Sequence, residues 1–152
     1  MNTLKTFHRC VLNGSWSQGQ VVGRIESRHI STDIGSGLRS TDESSQAATP
    51  EELLLAAASS CYLITLGTLL EHRNIPFSRI ELESSAQLVQ DPVLRLDAIQ
   101  HSPTIVLNGT IQEDVLVSLT EHAEHTCMVS SALRGNVTVS VVPRFLVHTS
   151  EG

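Results

Sequence analysis

The stretch TPEELLLAAASSCYLITLGTLLEHRN, Thr49 to Asn74, decides how the rest of the chain is read. Every local rule for starting a helix is met at its head. Thr49 can cap, Pro50 suits the first helical position because an N–H there would have no partner, and Glu52 can answer Thr49 in a capping box. The helix is expected to end near Asn74, just ahead of Pro76. Between Leu53 and Leu70 no side chain is charged. With no stripe to show to water, such a helix must be wrapped on all sides. In its middle stands Cys61.

The apolar run approaches the length of a membrane span. Ser59, Ser60, Thr65, Gly67 and Thr68 interrupt it, and no lysine cluster flanks it. These features argue for a soluble core. Ala56, Ala57, Ala58 and Gly67 suit close packing there or across a dimer interface.

At 152 residues and 40% hydrophobic content, the chain can bury one core and reads as a single domain, 1–152. A net charge of −6 and a single lysine, Lys5, exclude the basic groove or surface that nucleic acid or an anionic membrane requires. Small-molecule chemistry remains. The N-terminal MNTLKTFHRC lacks the apolar centre of a signal peptide, so a cytoplasmic protein is expected. Three scattered cysteines, Cys10, Cys61 and Cys127, do not make a disulfide scaffold.

Around the central helix the chain reads as α+β. Leu4 to Leu12 and Gln20 to Ile30 resemble two strands joined at Asn13-Gly14, a strong hairpin signal. Ser31 to Ala48 reads as a long loop with a short strand over Ile34 to Arg39, and loops of that length are commonly functional. Beyond Pro76, Ile80, Leu82, Ala86 and Leu88 share one face of a strand. Asp91-Pro92 turns into a further strand whose phase shifts near Ile99, and Pro103 suggests an edge or bulge. Thr110 and Glu113 form a second capping-box pattern ahead of an amphipathic helix. That pattern falters at His125-Thr126-Cys127, and a short helical piece from Met128 to Arg134 follows. A β-branched strand runs from Val137 to Val147.

Taken alone, Cys61 is a small apolar residue in a helix. As a nucleophile it would have to be a thiolate, which an apolar interior disfavours, and three turns from the helix start the dipole helps little. A positive group must come from elsewhere. Arg39, in the loop before the helix, is the first candidate, and Arg24 the reserve. Cys127, at the start of a helical piece, has backbone N–H groups nearby that can stabilise a thiolate. If close together, the two thiols would form a pair in which one is oxidised to sulfenic acid and the other closes a disulfide.

TPEELLLAAASSCYLITL, together with HTCMVSSALRGNV further on, resembles the OsmC-like and organic-hydroperoxide-resistance family of thiol peroxidases. The resemblance runs in order from the loop before Pro50 to the final strand. It implies antiparallel sheets around a long buried central helix in an intertwined homodimer, and an oxidoreductase whose substrates are organic peroxides and, as a further candidate, hydrogen peroxide. Cys61 would be the peroxidatic nucleophile, Cys127 the resolving thiol, Arg39 the stabilising arginine and Glu51 its anchor. No cofactor is implied; an external dithiol or lipoyl-type protein would reduce the disulfide. Ten residues of helix set Glu51 roughly 15 Å from Cys61 along the axis, so an extended Arg39 bridges them or they belong to opposite chains of the dimer. An apolar lining would favour bulky hydroperoxides. One departure is Met128, where the family carries a proline.

Two rival readings keep the fold and change the function. His122, His125 and Cys127 form H-x-x-H-x-C, a candidate metal site that Cys61 could complete. Alternatively, a non-enzymatic dimer binds an apolar ligand in its core. Cys10 reads as a packed residue without a role.

Overall fold

The computed structural model describes residues 10–17, 20–35 and 46–148. Its elements are β1 (Val11–Ser17), β2 (Gln20–Glu26), β3 (Ser31–Ile34), α1 (Pro50–His72), β4 (Phe77–Gln90), β5 (Leu94–Leu107), α2 (Glu113–Thr126), α3 (Met128–Leu133), β6 (Thr138–Val141) and β7 (Arg144–Val147). The architecture is α+β, with two sheets and a central helix. Two compact units divide the chain, residues 1–54 and 55–152.

In the first unit β1, β2 and β3 form an antiparallel meander. Asn13-Gly14 is not its turn: both residues lie within β1, opposite Arg24 and Gly23, and the pairing of Ser17 with Gln20 places the reversal later. Close packing accounts for a glycine opposite Gly14. A Cβ on Gly23 would meet the Asn13 carbonyl oxygen at 3.0 Å and Ile34 Cγ1 at 3.2 Å. The second strand also stops earlier than its β-rich sequence suggests. The Ser27 N–H donates to the Ile30 carbonyl at 2.8 Å, and the Ile30 N–H to Ser27 Oγ at 3.3 Å. This turn carries neither Gly nor Pro and feeds β3, which occupies the head of the segment expected to be loop. Most of the strand expected over Ile34 to Arg39, and of that over Leu4 to Leu12, lies outside the described residues.

The start of α1 follows its sequence. The Thr49 N–H donates to Glu52 Oε2 at 2.8 Å and the Glu52 N–H to Thr49 Oγ1 at 3.1 Å, a reciprocal capping box. Hydroxyls inside the helix bond back to carbonyls one turn earlier, Ser59 to Leu55 and Thr68 to Ile64 among them. Such bonds let an apolar helix carry them. Within the single chain α1 is not wrapped on all sides. Ala58, Tyr62, Leu66 and Leu70, one helical stripe, are buried, whereas Ile64 is 69% exposed and Leu54 37%. Within one chain a helix laid on a sheet buries a single stripe. By length and hydropathy α1 could also cross a membrane, a criterion that core helices share.

In the second unit β4 pairs antiparallel with β5, while β6 and β7 both pair with β5 in parallel. The expectation of purely antiparallel sheets is therefore corrected, and the final strand is two short ones. Pro103 lies in the central strand, not at an edge. It is tolerated because β6 pairs with Ala98–His101 and β7 with Thr104–Leu107, so its missing N–H falls where one neighbour ends and the next begins. The phase shift in this strand is a bulge: Gln87 pairs with Ala98 but Leu88 with Leu96, leaving Asp97 extra.

The second capping box does not form. α2 starts at Glu113 behind Gln112, with no side-chain cap, which puts Glu113 at the first helical position, out of register for Thr110. Tyr62, Leu66 and Leu70 of α1 join Ile105 and Leu107 of β5 and Leu116, Leu119 and Ala123 of α2 in one core. Cys127 belongs to it.

Candidate active site

Cys127 is the hinge between α2 and α3. Its backbone is extended (φ −62°, ψ 125°), ending one helix and preceding the next. Its own N–H closes α2 on the Ala123 carbonyl at 2.9 Å, and the first bond of α3 runs from the Ser131 N–H to the Cys127 carbonyl at 2.9 Å. The break leaves the N–H groups of Met128, Val129 and Ser130 without partners inside α3. The Val129 and Met128 amides act to lower the Cys61 pKa and the Ser130 amide that of Cys127, although the Cys127 side chain makes no cap bond to α3.

The two thiols, on α1 and at the α2–α3 junction, are within hydrogen-bonding reach of each other. Both are free. Their environments push them in opposite directions. At Cys61 burial raises the pKa, but the Val129 N–H, the Cys127 S–H, the Met128 N–H and the Thr65 hydroxyl outweigh it, and the thiol lies below its ordinary value. Thr65 already donates to the Cys61 carbonyl at 2.8 Å. Its single proton is committed there, so the amides and the neighbouring S–H carry the effect. At Cys127 burial dominates and the pKa rises; Ser130 opposes this through its N–H and hydroxyl, while the nearby Cys61 reinforces it. Cys127 is fully buried and Cys61 partly open. Cys61 is thus the more acidic and the more open of the two thiols.

Backbone dipoles at the start of α3 contribute a positive field at Cys61. Arg39 lies outside the described residues. Arg24, the reserve, sits on β2 in a surface network, with Glu26 at 2.9 Å, Asp33 at 2.8 Å and Ser31 Oγ at 2.6 Å. Glu51 lies in the first turn of α1, and its Oε2 is buried with no hydrogen-bond partner among the described residues. The metal alternative lacks geometry: His122 and His125 are exposed, Cys127 is turned into the core, and no three candidate ligands converge among the described residues. Cys10 is exposed rather than packed.

Neighbouring residues whose sequence gave no sign support the site. The Tyr62 ring stacks on His101, centroids 4.6 Å apart and planes 8° from parallel, and its hydroxyl donates to the Thr120 carbonyl at 3.1 Å. His101 Nδ1 meets Ser84 Oγ at 2.7 Å, and burial pushes the ring's pKa down. A period-two strand pattern marks His101 as inward but says nothing of its partners.

The sequence signature of the family described as OsmC-like protein matches residues 41–142. The chain belongs to that family. Among proteins of similar sequence, the uncharacterized protein YmaD of Bacillus subtilis (strain 168) is 33% identical over 139 residues, covering 88% of this chain and 92% of its own. Among solved structures, an OsmC-like protein from Mycoplasma pneumoniae superposes with a TM-score of 0.76 at 11% identity, over 94% of this chain and 99% of that one. The organic hydroperoxide resistance protein OhrB of Bacillus subtilis gives 0.69 at 19% identity, over 90% and 98%. At those identities the structures establish a shared fold. In this OsmC-like chain, Met128 in the expected proline's place has a chemical consequence: it brings an N–H to Cys61 that a proline would lack.

Proposed function

We propose that this OsmC-like protein is a cysteine-based peroxidase for organic hydroperoxides. The observation that carries the reading is the pair of free thiols of opposite acidity in mutual contact, with two amide N–H groups on the more acidic one. The Cys61 thiolate attacks the distal peroxide oxygen; the S–O bond forms as the O–O bond breaks, and the alkoxide leaves after taking up a proton as alcohol. Cys61 is then a sulfenic acid. Cys127 attacks that sulfur, closing a Cys61–Cys127 disulfide with loss of water, and an external dithiol or lipoyl-type protein restores both thiols.

In this proposal Arg39 stabilises the developing negative oxygen and Glu51 anchors it, since a buried carboxylate oxygen without a partner is best satisfied by a cation. The uncovered flank of α1, with Ile64 at its centre, packs on the same flank of a second copy in a homodimer, and the reducing cytoplasm keeps the thiols ready. Apolar surroundings favour bulky alkyl hydroperoxides over hydrogen peroxide. Steady-state turnover with a dithiol reductant tests the reading. Turnover abolished in Cys61→Ser and higher efficiency on an aryl-alkyl hydroperoxide than on hydrogen peroxide are expected; equal efficiency on both would count against the substrate class, and turnover by Cys61→Ser against the mechanism.

A further inference from the structure

Ser130 is 1% exposed, and its Oγ is buried without a hydrogen-bond partner among the described residues. A buried hydroxyl left unpaired destabilises a fold, and alanine in its place would remove that penalty. Its surroundings point to a use. Ser130 is the third residue of α3 and Cys127 the residue before the helix, a spacing at which the two side chains face each other across the first turn. That spacing sets the hydroxyl beside the Cys127 sulfur, whose pKa Ser130 holds down, while no hydrogen bond closes between them in the reduced protein. A neutral thiol is a poor acceptor, whereas a thiolate is a strong one.

We propose that Ser130 is a catalytic residue of the resolving step, its hydroxyl held free in the reduced protein so that it can donate to the Cys127 sulfur when that sulfur becomes an anion. The proposal rests on the two-thiol reading of the site. In this step Cys127 gives up its proton and attacks Cys61–S–OH; the S–S bond forms as the S–O bond breaks, both electrons leave with oxygen, and the oxygen takes a proton to depart as water. The Ser130 O–H holds the sulfur's charge up to the moment of attack. The other titratable groups acting on Cys127 are Cys61 and Tyr62 of α1, and Glu124 of α2, 3.5 Å from Arg134, acts in turn on Tyr62. None of them offers a neutral hydroxyl free to donate, because the Tyr62 O–H is already given to Thr120.

The test is disulfide closure in wild type and Ser130→Ala, started either with an alkyl hydroperoxide or with diamide. Diamide adds to the Cys61 thiolate, and Cys127 then displaces the reduced hydrazine, so closure is read without a peroxide. Ser130→Ala should form Cys61 sulfenic acid at the wild-type rate, close the disulfide about tenfold more slowly with either oxidant, and shift the pH dependence of closure upward. Its Tm should equal or exceed that of wild type. Wild-type closure rates in the variant would overturn the proposal, as would slow closure with a lowered Tm, which marks a packing role. If peroxide fails to oxidise wild-type Cys61 while diamide closure still slows in the variant, the peroxidase reading falls and the assignment of Ser130 stands.

Discussion

Met128→Pro is a backbone perturbation that the fold accepts and the chemistry should not. Met128 opens α3 and its side chain is 64% exposed, so little packing is lost. Proline suits a first helical position, and the residue before it must be extended, as Cys127 already is at φ −62°, ψ 125°. Restricting the unfolded chain offsets part of the stability lost with the N–H bond, by about 0.4–1 kcal/mol. The loss is the N–H given to Cys61. A hydrogen bond to a charged acceptor contributes about 1.5–3 kcal/mol, and the lower end suits a thiol partly open to solvent; that corresponds to roughly tenfold less thiolate at pH values below the Cys61 pKa. A more basic thiolate is intrinsically more reactive by about threefold, which leaves a net slowing of roughly threefold at low pH and a comparable acceleration once both proteins are fully ionised. Thiolate absorbance against pH and single-turnover oxidation of Cys61 across the same range provide the assay. The two rate profiles should cross. A stably folded Met128→Pro with an unchanged thiolate titration would refute the assignment of backbone amides as the source of Cys61 acidity.

Two further outcomes follow from the packing. His101 is buried with its pKa depressed. The unfolded chain therefore binds the proton more readily, so this contribution to stability is present above the ordinary histidine pKa and is lost as pH falls through it. Urea unfolding midpoints should fall between pH 7.5 and 5, with a shallower fall in His101→Gln; parallel pH curves would contradict this. Ile64→Asp places a charge on the uncovered flank of α1. On a monomer's surface such a change costs within about 0.5 kcal/mol. In the proposed homodimer it should split the protein to one chain mass by light scattering, and an unaltered mass would argue against this flank as the interface.

Much of this site is written in the sequence, because local chemistry fixes it. Thr49, Pro50 and Glu52 set the start of α1, and the absence of charge between Leu53 and Leu70 marks the helix as central. The break at Cys127 shows in the faltering helical pattern and the restart at Met128. The missed features depend on distant partners. Asn13-Gly14 has the composition of a turn, yet its strand pairs through it because the reversal lies beyond Ser17. Pro103 signals an edge strand, yet it occupies a gap between two neighbours that only the assembled sheet creates. The amides that act to acidify Cys61 come from Met128 and Val129, more than sixty positions away, and amide groups have no side-chain signature that a sequence could show. The uncovered flank of α1 is of the same kind, since its composition demands cover without saying which molecule provides it.

The central claim is that Cys61 and Cys127 act as one redox pair. Reduced protein is treated with one equivalent of an alkyl hydroperoxide and followed by intact mass and peptide mapping, alongside Cys61→Ser and Cys127→Ser. The account predicts a wild-type loss of two hydrogens in a Cys61–Cys127 disulfide, a trappable sulfenic acid in Cys127→Ser and no reaction in Cys61→Ser. Survival of both wild-type thiols, or oxidation that persists in Cys61→Ser, would contradict it.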